Sequence, residues 1–326
     1  MDVKVLLMAV LAIVGVPAML VAYTMFSEFL VSKVRGEKKQ GKIRPWLWIL
    51  PALFLLFVFL IYPVVNTFIL SFKNANSTSF VGLKNYLFIF TDKTMLTALR
   101  NNLLWLVFVT LVTVTLGLLI AVLTDRIRYE SVAKAFIFLP MAISAVAAGV
   151  IWKFMYEFRP RGTPQIGTVN AILTTVNPSF EPKAWLFNPP INNFALMVVY
   201  IWIWTGFCMV ILSAALKGIP DSLLEAARID GANEWTIFWR IIIPTMSSTI
   251  VVVATTMVIN VLKVFDIVYV MTNGTLGTEV IANRMYKEMF NFHNFGRASA
   301  IAVILLLAII PVMLVNIRKF GQRRVK

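Results

Sequence analysis

The sequence predicts an all-α polytopic membrane protein, folded as one helical bundle. Of its 326 residues, 60% are apolar and only 14% are charged, whereas about a quarter of the residues in a soluble domain are charged. The apolar residues also come in long blocks, and about 20 of them in succession can cross a bilayer as a helix. We expect seven spans, at residues 3–31, 46–70, 101–124, 135–156, 193–216, 245–271 and 298–317.

The first of these blocks is expected to be a retained helix rather than a cleaved signal peptide. A signal peptide has an apolar core of about 7–15 residues before a small-residue cleavage site. The apolar stretch Val3–Val31 is much longer, and Ser32-Lys33-Val34-Arg35 follows it. Residues 1–45 are therefore interpreted as an additional N-terminal helix with a basic loop.

The distribution of basic residues predicts the orientation of the chain. The net charge is +15, which in a soluble protein would suggest nucleic acid as a partner. Here Lys and Arg cluster in short loops beside the apolar blocks, and such residues are retained on the cytoplasmic side. Segments 32–45, 125–134, 217–240 and 318–326 hold 17 of them, and the opposite loops hold 11. We therefore expect a cytoplasmic C-terminus, an extracytoplasmic N-terminus and no nucleic-acid partner.

The longest extracytoplasmic loop, residues 157–192, contains six prolines. Proline and glycine interrupt helices and strands and favour turns. We expect this loop to be ordered by turns.

The cytoplasmic loop at residues 217–244, between the fifth and sixth spans, is predicted to form a helix–turn–helix at the membrane surface. Pro220 suits a first helical turn, and Gly231 suits a left-handed helix end. Asn233 can cap the second helix, which Pro244 is expected to end before the sixth span.

The first helix of this loop is predicted to present a small, smooth surface to another protein. Ala226 and Ala227 have side chains short enough for close approach. Glu225 and Arg228 are three residues apart, a spacing at which they can form an ion pair on a helix. The alternative is an amphipathic connector that rests on lipid headgroups.

This loop resembles the EAA motif of bacterial ABC importer permeases, in which a Glu-Ala-Ala triplet is followed at fixed spacings by Gly and by Ile-x-Leu-Pro. The only departure is Ile243 in place of Leu. In that family, the loop docks on an ATPase subunit, and the resemblance implies the same role here. The implied coupling-loop residues are Glu225, Ala226, Ala227, Arg228, Asp230, Gly231 and Pro244.

The resemblance implies the helical bundle of a type I ABC importer permease, with a six-helix core at 46–317, the extra N-terminal helix and a short basic tail at 318–326. Its implied partners are a second homologous permease, an ATPase dimer, an extracytoplasmic solute-binding protein and the lipid of a bacterial inner membrane. This chain is then not an enzyme and binds no cofactor or metal, because ATP and Mg²⁺ belong to the ATPase.

Several segments resemble the maltose-type first permease of the sugar-importing branch, so a sugar is the implied substrate. One departure is Asn273-Gly274-Thr275, where the family often has Gly-Gly-Pro after the sixth span. The segments that carry the resemblance include Leu50-Pro51-Ala52, Tyr62-Pro63, Val81–Tyr86, Gly167–Asn170 and Phe265–Tyr269. Two alternatives stay open: an importer of a polyamine, phosphate or glycerol phosphate, and a secondary transporter that works alone.

The same resemblance places a solute cavity between the helices that flank the coupling loop. Aromatic faces suit sugar rings and a side-chain amide suits hydroxyls, although packing against lipid or core explains single aromatics equally well. Lys263 and Asp266, also within the sixth span, either pair with each other or contact solute. The implied pathway residues are Tyr200, Trp204, Phe207, Met257, Asn260, Val261 and Val264.

One further motif, Gly36–Ile43, mimics a phosphate-binding P-loop. It ends in Ile43 where Ser or Thr is required, it follows a membrane span rather than a strand, and no helix pattern opens at Lys42. A basic stretch attracted to anionic lipid is the better interpretation.

Overall fold

The computed structural model describes residues 3–125 and 127–322, and these form helices, with a single antiparallel bridge between Lys73 and Phe80 as the only extended pairing. The predicted all-α class is confirmed. The chain divides into two compact units, Met1–Thr67 and Phe68–Lys326, each of which is described by itself. The division predicted at residue 45 lies within a helix of the first unit.

The first unit is a helical hairpin. It consists of α1 (Val3–Ser32), α2 (Glu37–Leu56), a π-helical turn (Phe57–Ile61) and most of α3 (Tyr62–Leu70). The Glu28 carboxylate accepts hydrogen bonds from Arg44 and from the Trp48 indole, both at 3.0 Å, which joins α1 to α2.

The second helix begins at Glu37, not at residue 46, so nine of the fourteen residues of the predicted basic loop at 32–45 lie in it. Lys and Arg are good helix formers, and the start of an apolar block therefore marks a membrane boundary rather than a helix boundary. Helix also runs through Lys42, where no helix was expected.

Within its described residues, the second unit contains twelve α-helices. Four helical stretches in it are long and apolar enough to span a membrane: Lys93–Leu123, Ile191–Lys217, Glu234–Leu262 and Phe295–Leu314. Its helices are α4 (Lys84–Thr91), α5 (Lys93–Leu123), α6 (Glu130–Phe138), α7 (Ala145–Met155), α8 (Thr168–Val176), α9 (Ile191–Lys217), α10 (Asp221–Ile229), α11 (Glu234–Ile237), α12 (Ile243–Leu262), α13 (Asp266–Met271), α14 (Ile281–Tyr286) and α15 (Phe295–Gln322).

The described residues provide six candidate spans, or seven if the bent pair α6–α7 is one span, which agrees with the predicted number. That fourth span was predicted as one helix over 135–156, but it bends by 100°. Pro140 lies in a 3₁₀ turn at Leu139–Ala142, and the Ser144 hydroxyl caps α7 by accepting from the Ala147 amide at 3.2 Å. A proline followed by an N-cap ends one helix and starts another.

Helix α9 lies at the centre of the second unit, between α5 and α6. A β-carbon added to Gly117 of α5 would lie 2.5 Å from the Cys208 β-carbon, and one added to Gly206 would lie 2.5 Å from the Ile137 carbonyl oxygen of α6. Small residues allow membrane helices to approach closely. These two glycines set the spacing of α9 from its neighbours.

The proline-rich loop contains a helix, α8, which the expectation of turns alone missed. Buried Asn170 of α8 organises the loop, because its amide donates to the carbonyls of Glu157 and Lys183 at 3.1 and 3.0 Å. The Asn170 oxygen accepts from the Trp185 indole at 3.0 Å. A side chain with four bonding positions can fix several loop segments at once.

Candidate coupling loop and solute cavity

The turn between α10 and α11 is a Schellman motif built on Gly231. Gly231 has φ +85°, its amide donates to the Arg228 carbonyl, and the Ala232 amide donates to the Ala227 carbonyl, each at 3.0 Å. This pattern satisfies carbonyls at a helix C-terminus and needs a left-handed residue, usually glycine. The structure has the helix end that the sequence predicted at Gly231.

The second helix of the loop starts at the predicted cap, because the Asn233 side chain accepts from the Thr236 amide at 2.8 Å. The predicted pair of Arg228 with Glu225 is wrong. The Arg228 guanidinium instead donates to the two Glu234 oxygens at 2.7 and 3.3 Å, and this hydrogen-bonded carboxylate raises the pKa of Arg228 above its ordinary value. The Gly231 turn brings α11 close enough to offer the better-placed acceptor.

The exposed surface of the loop combines charge with large apolar side chains. Glu225, Ala226 and Asp230 are exposed, whereas Ala227 is half-buried against the core. Ile229 and Trp235 are 85% and 72% exposed. Exposed apolar residues of this size indicate contact with a partner or with lipid. Neither residue is a position of the motif, so the motif alone does not predict this apolar surface.

Pro244 was predicted to end the second helix, but the helix continues past it. Helix continues from Glu234 to Leu262 through a π-helical turn at Phe238–Ile242 that directly precedes α12. A proline inside a regular α-helix collides with the carbonyl four residues earlier. A π-helical turn accommodates an extra residue at this point, so the second helix of the coupling loop continues into the sixth span without a break.

Six of the predicted pathway residues line one cavity of about 270 Å³. Tyr200 and Trp204 of α9 form one wall, where their rings stack with centroids 6.0 Å apart. Asn260, close to the end of α12, contributes a side-chain amide. The full lining is Ala145, Tyr200, Trp204, Asn260, Lys263, Val264, Phe265, Asp266 and Ile267.

Three predicted pathway residues lie outside this lining. Met257 and Val261 are fully buried in the core, and Phe207 packs edge-on against Trp204 with ring centroids 5.7 Å apart. Phe207 therefore packs against the aromatic wall without lining the cavity itself.

The sixth span ends earlier than predicted, and this places Lys263 and Asp266 at a break in the helix. Helix α12 ends at Leu262, and α13 begins at Asp266. Within the described part of the chain, no ion pair joins Lys263 to Asp266, and both side chains are exposed at the cavity. Charged groups inside a membrane protein usually face water or a bundle interior. The structure thus favours contact with the cavity over the structural ion pair.

The segment 272–280 that follows α13 is fastened by buried polar side chains. Asn101 donates to the carbonyls of Gly277 and Glu279 at 2.7 and 2.8 Å, and Asn192 donates to the Leu276 carbonyl at 2.9 Å. Buried Glu279 accepts from Lys287 at 2.7 Å. No single local pattern in the sequence signals these bonds, since their partners lie on other helices.

The described fold and these two candidate sites define a class of protein: a polytopic helical membrane protein with a cavity between its helices and an exposed helix–turn–helix loop. The chain belongs to the family of binding-protein-dependent transport system inner membrane components, whose sequence profile matches residues 113–325. This match confirms the resemblance to importer permeases.

Two relatives and a solved structure agree with this family. The chain is 63% identical to the osmoprotective compounds uptake permease protein GgtC of Synechocystis sp., over 84% of this chain and 98% of that one. It is 50% identical to the alpha-glucoside transport system permease protein AglF of Rhizobium meliloti, over 87% and 84%. A chain of a bacterial alginate ABC transporter, solved in complex with an alginate-bound periplasmic protein, has the same fold, with a TM-score of 0.72 and 22% identity over 86% and 93%.

Proposed function

We propose that this chain is the membrane-spanning subunit of an ATP-driven importer that translocates a sugar delivered by a solute-binding protein. The observation that carries the proposal is the coupling loop, which has the EAA residues on an exposed helix followed by a Schellman turn at Gly231. The loop is continuous with the helix that carries Asn260 to the cavity.

The substrate we propose is a small glucoside or oligosaccharide. The relatives named for alpha-glucosides and osmoprotective compounds support this class. The cavity combines stacked Tyr200 and Trp204 with the Asn260 amide. Aromatic rings are complementary to the apolar faces of a sugar, and an amide can form hydrogen bonds with its hydroxyls. A polyamine, phosphate or glycerol phosphate is the alternative substrate class.

A competition assay distinguishes these classes. Cells or proteoliposomes with the assembled importer should take up labelled sucrose, an α-glucoside, and unlabelled maltose should compete. Uptake of labelled putrescine or phosphate by the same importer, with no uptake of sucrose, would contradict the sugar assignment.

ATP hydrolysis is assigned to a separate ATPase pair that binds the coupling loop, so ATP and Mg²⁺ are not held by this chain. A second homologous permease completes the pathway. The exposed side chains of Glu225, Ala226, Ile229 and Asp230 supply the surface on which the ATPase docks. A secondary transporter would need no such partner.

The proposed location is a bacterial inner membrane, with the coupling loop and the C-terminus cytoplasmic and the N-terminus outside, because Lys and Arg are concentrated on that side. In a Cys208→Ser background, Thr163→Cys should react with an impermeant maleimide in intact spheroplasts. Protection at residue 163, together with labelling of Gln40→Cys, would invert the topology.

Gly231→Pro tests the coupling role directly. Proline fixes φ near −65°, so it cannot adopt the +85° of Gly231. We expect the variant to insert in the membrane at normal levels, to lose sugar uptake and to retain less ATPase on co-purification. Glu225→Lys should have the same effect to a lesser degree.

The matched control is Gly162→Pro, because Gly162 also has a positive φ, +88°, and open space around it, but it lies in the predicted outer loop. Its uptake should stay close to that of the wild type. Normal transport by Gly231→Pro would mean that the loop is only a connector.

A further inference from the structure

An ion cluster joins the N-terminus of α6 to the C-terminus of α9. The Glu130 carboxylate lies 2.7 Å from the Lys217 ammonium and also accepts from Lys134. Lys134 donates in addition to the hydroxyl of Ser213, which is buried on α9. The side chains of Glu130 and Lys134 are only 18% and 14% exposed, whereas that of Lys217 is 55% exposed. Glu130 is therefore the anion between two cations.

The ion cluster lies directly beside α10, the first helix of the coupling loop. Lys217 is the last residue of α9, and only three residues separate it from α10. Glu130 and Lys217 line a cavity of about 330 Å³ together with Asp125, Asp221 and the apolar side chains of Leu216, Ile219 and Leu224. Leu224 is the buried residue of α10. A displacement of α10 thus acts first on the residues around Glu130.

Helices α6 and α9 are also joined near the middle of α9. Gly206 approaches the Ile137 carbonyl and the Phe138 backbone so closely that no β-carbon fits. Gly206 and Lys217 are eleven residues apart, which is about 16 Å along a helix at 1.5 Å per residue. Two fixed points at this separation hold a pair of helices in one relative orientation.

Both partners lead to the solute cavity. Helix α9 carries Tyr200 and Trp204, and α6 leads through the break at Leu139–Ser144 to α7. Ala145 of α7 lines the cavity, and Gly149 of α7 lies against Val270 and Met271 of α13. A rigid α6–α9 pair would therefore move two walls of the cavity together.

We propose that Glu130 is a positioning residue for transport: it fastens α6 to α9 at their cytoplasmic ends, so that movement of α10 reaches the bent span and the cavity as one displacement. This inference rests on the proposed function, in which α10 receives the movement of an ATPase. Without the Glu130 charge, the ammonium groups of Lys134 and Lys217 lose the anion that they share. Helix α9 can then move without α6.

The test uses the complete importer, with this chain, its partner permease, the ATPase pair and the binding protein, in proteoliposomes. Glu130→Gln keeps the shape of the side chain and removes its charge. We expect normal assembly and stimulated ATP hydrolysis, but a sucrose uptake per ATP hydrolysed that falls roughly 2- to 30-fold, the range seen when residues that couple two sites are altered. Glu130→Lys with Lys217→Glu should recover much of the ratio, because it restores an oppositely charged pair.

Ser131→Ala is the matched control, since Ser131 is exposed on the same turn of α6, and it should leave the ratio unchanged. Parallel loss of uptake and ATP hydrolysis in Glu130→Gln would overturn the inference. So would absence of this variant from the membrane, if the charge-swap variant is equally impaired. A wild-type importer whose uptake needs no ATPase would overturn the proposed function itself.

A distance measurement distinguishes the proposed role of Glu130 in transport from a purely structural role. In a Cys208→Ser background, spin labels at Val132→Cys and Ala214→Cys occupy exposed positions of α6 and α9. The distance between them should be equal in the nucleotide-free and vanadate-trapped importer, and it should broaden or shift on trapping only when Glu130→Gln is present. A shift of several ångströms in the protein with Glu130 intact would show that the two helices move independently.

Discussion

The coupling loop at 217–244 and the segment at 263–280 adjoin opposite ends of the same helix, α12, but they are held in different ways. The second is called the outer segment because the predicted topology places it outside. The bonds that form the turn between α10 and α11 join residues no more than six positions apart, as in the Arg228–Glu234 pair. The outer segment is held by partners far away in the chain, since Asn101 bonds to residues 176 and 178 positions later. The turn of the coupling loop is therefore held by local bonds, whereas the outer segment is held by bonds to other helices.

The two regions also differ in exposure, apart from Lys263 and Asp266 at the cavity. The coupling loop presents charged and apolar side chains to its surroundings, whereas Glu279 of the outer segment is buried and accepts from buried Asn283 of α14. A buried charge that loses its partner is costly, and an exposed pair contributes little. Changes in the outer segment should therefore damage the fold, and changes in the coupling loop should damage transport without unfolding the chain.

Gly274→Ala should have the largest effect on stability. Gly274 has φ +70°, and a β-carbon there would collide with the Glu279 carboxylate, which Lys287 and Asn283 hold in place. Backbone strain and a disturbed buried ion pair together should cost at least about 3 kcal/mol. This loss of stability should appear as a clearly lower midpoint of thermal aggregation of the detergent-solubilised chain.

Gly277→Ala is the control for that prediction, because Gly277 has φ +80° in the same segment but nothing within 4 Å of its would-be β-carbon. It should cost only about 1 kcal/mol of backbone strain. Equal midpoints for the two variants would show that the Glu279 contact does not hold the segment.

Asn101→Ala should have the second largest effect. The change leaves the carbonyls of Gly277 and Glu279 and the Asn193 amide without the partner that the structure gives them. Each unsatisfied buried group costs about 1–3 kcal/mol. Thermal midpoints should fall well below those of Asn177→Ala, which removes only an exposed bond to the Ser179 amide. Equal stability of the two variants would contradict the view that long-range amides fasten the outer segment.

The division between local and distant contacts also explains how much the sequence could predict. The turn at Gly231 and the cap at Asn233 follow from residue types and spacing, because their bonds are local. The end of α12 at Leu262 does not follow from residue types and spacing, because the hydrophobic pattern continues to residue 271. Its position is coupled to Asn102, whose amide donates to the Leu262 carbonyl at 3.4 Å from 160 residues earlier.

The same reasoning applies to the solute cavity. The resemblance, with positions counted from the motif, implied Tyr200, Trp204 and Asn260, which do share one cavity. It could not separate Met257 and Val261, which face the core, from residues that face the cavity. That difference depends on which side of α12 packs against α5 and α9. A list of helix positions does not contain this information.

Gly231→Ala should have the smallest effect on stability, and it makes the comparison with Gly274→Ala sharpest. Both glycines have positive φ, but the space beside Gly231 is open, so alanine should cost only about 1 kcal/mol of strain. The thermal midpoint should lie within a few degrees of the wild-type value, while sugar uptake should fall moderately and far less than with Gly231→Pro. Alanine can still adopt a left-handed conformation at a cost, whereas proline cannot. A Gly231→Ala variant as unstable as Gly274→Ala would mean that the turn at Gly231 is packed against other parts of the bundle, and the view that local bonds hold this turn would have to be abandoned.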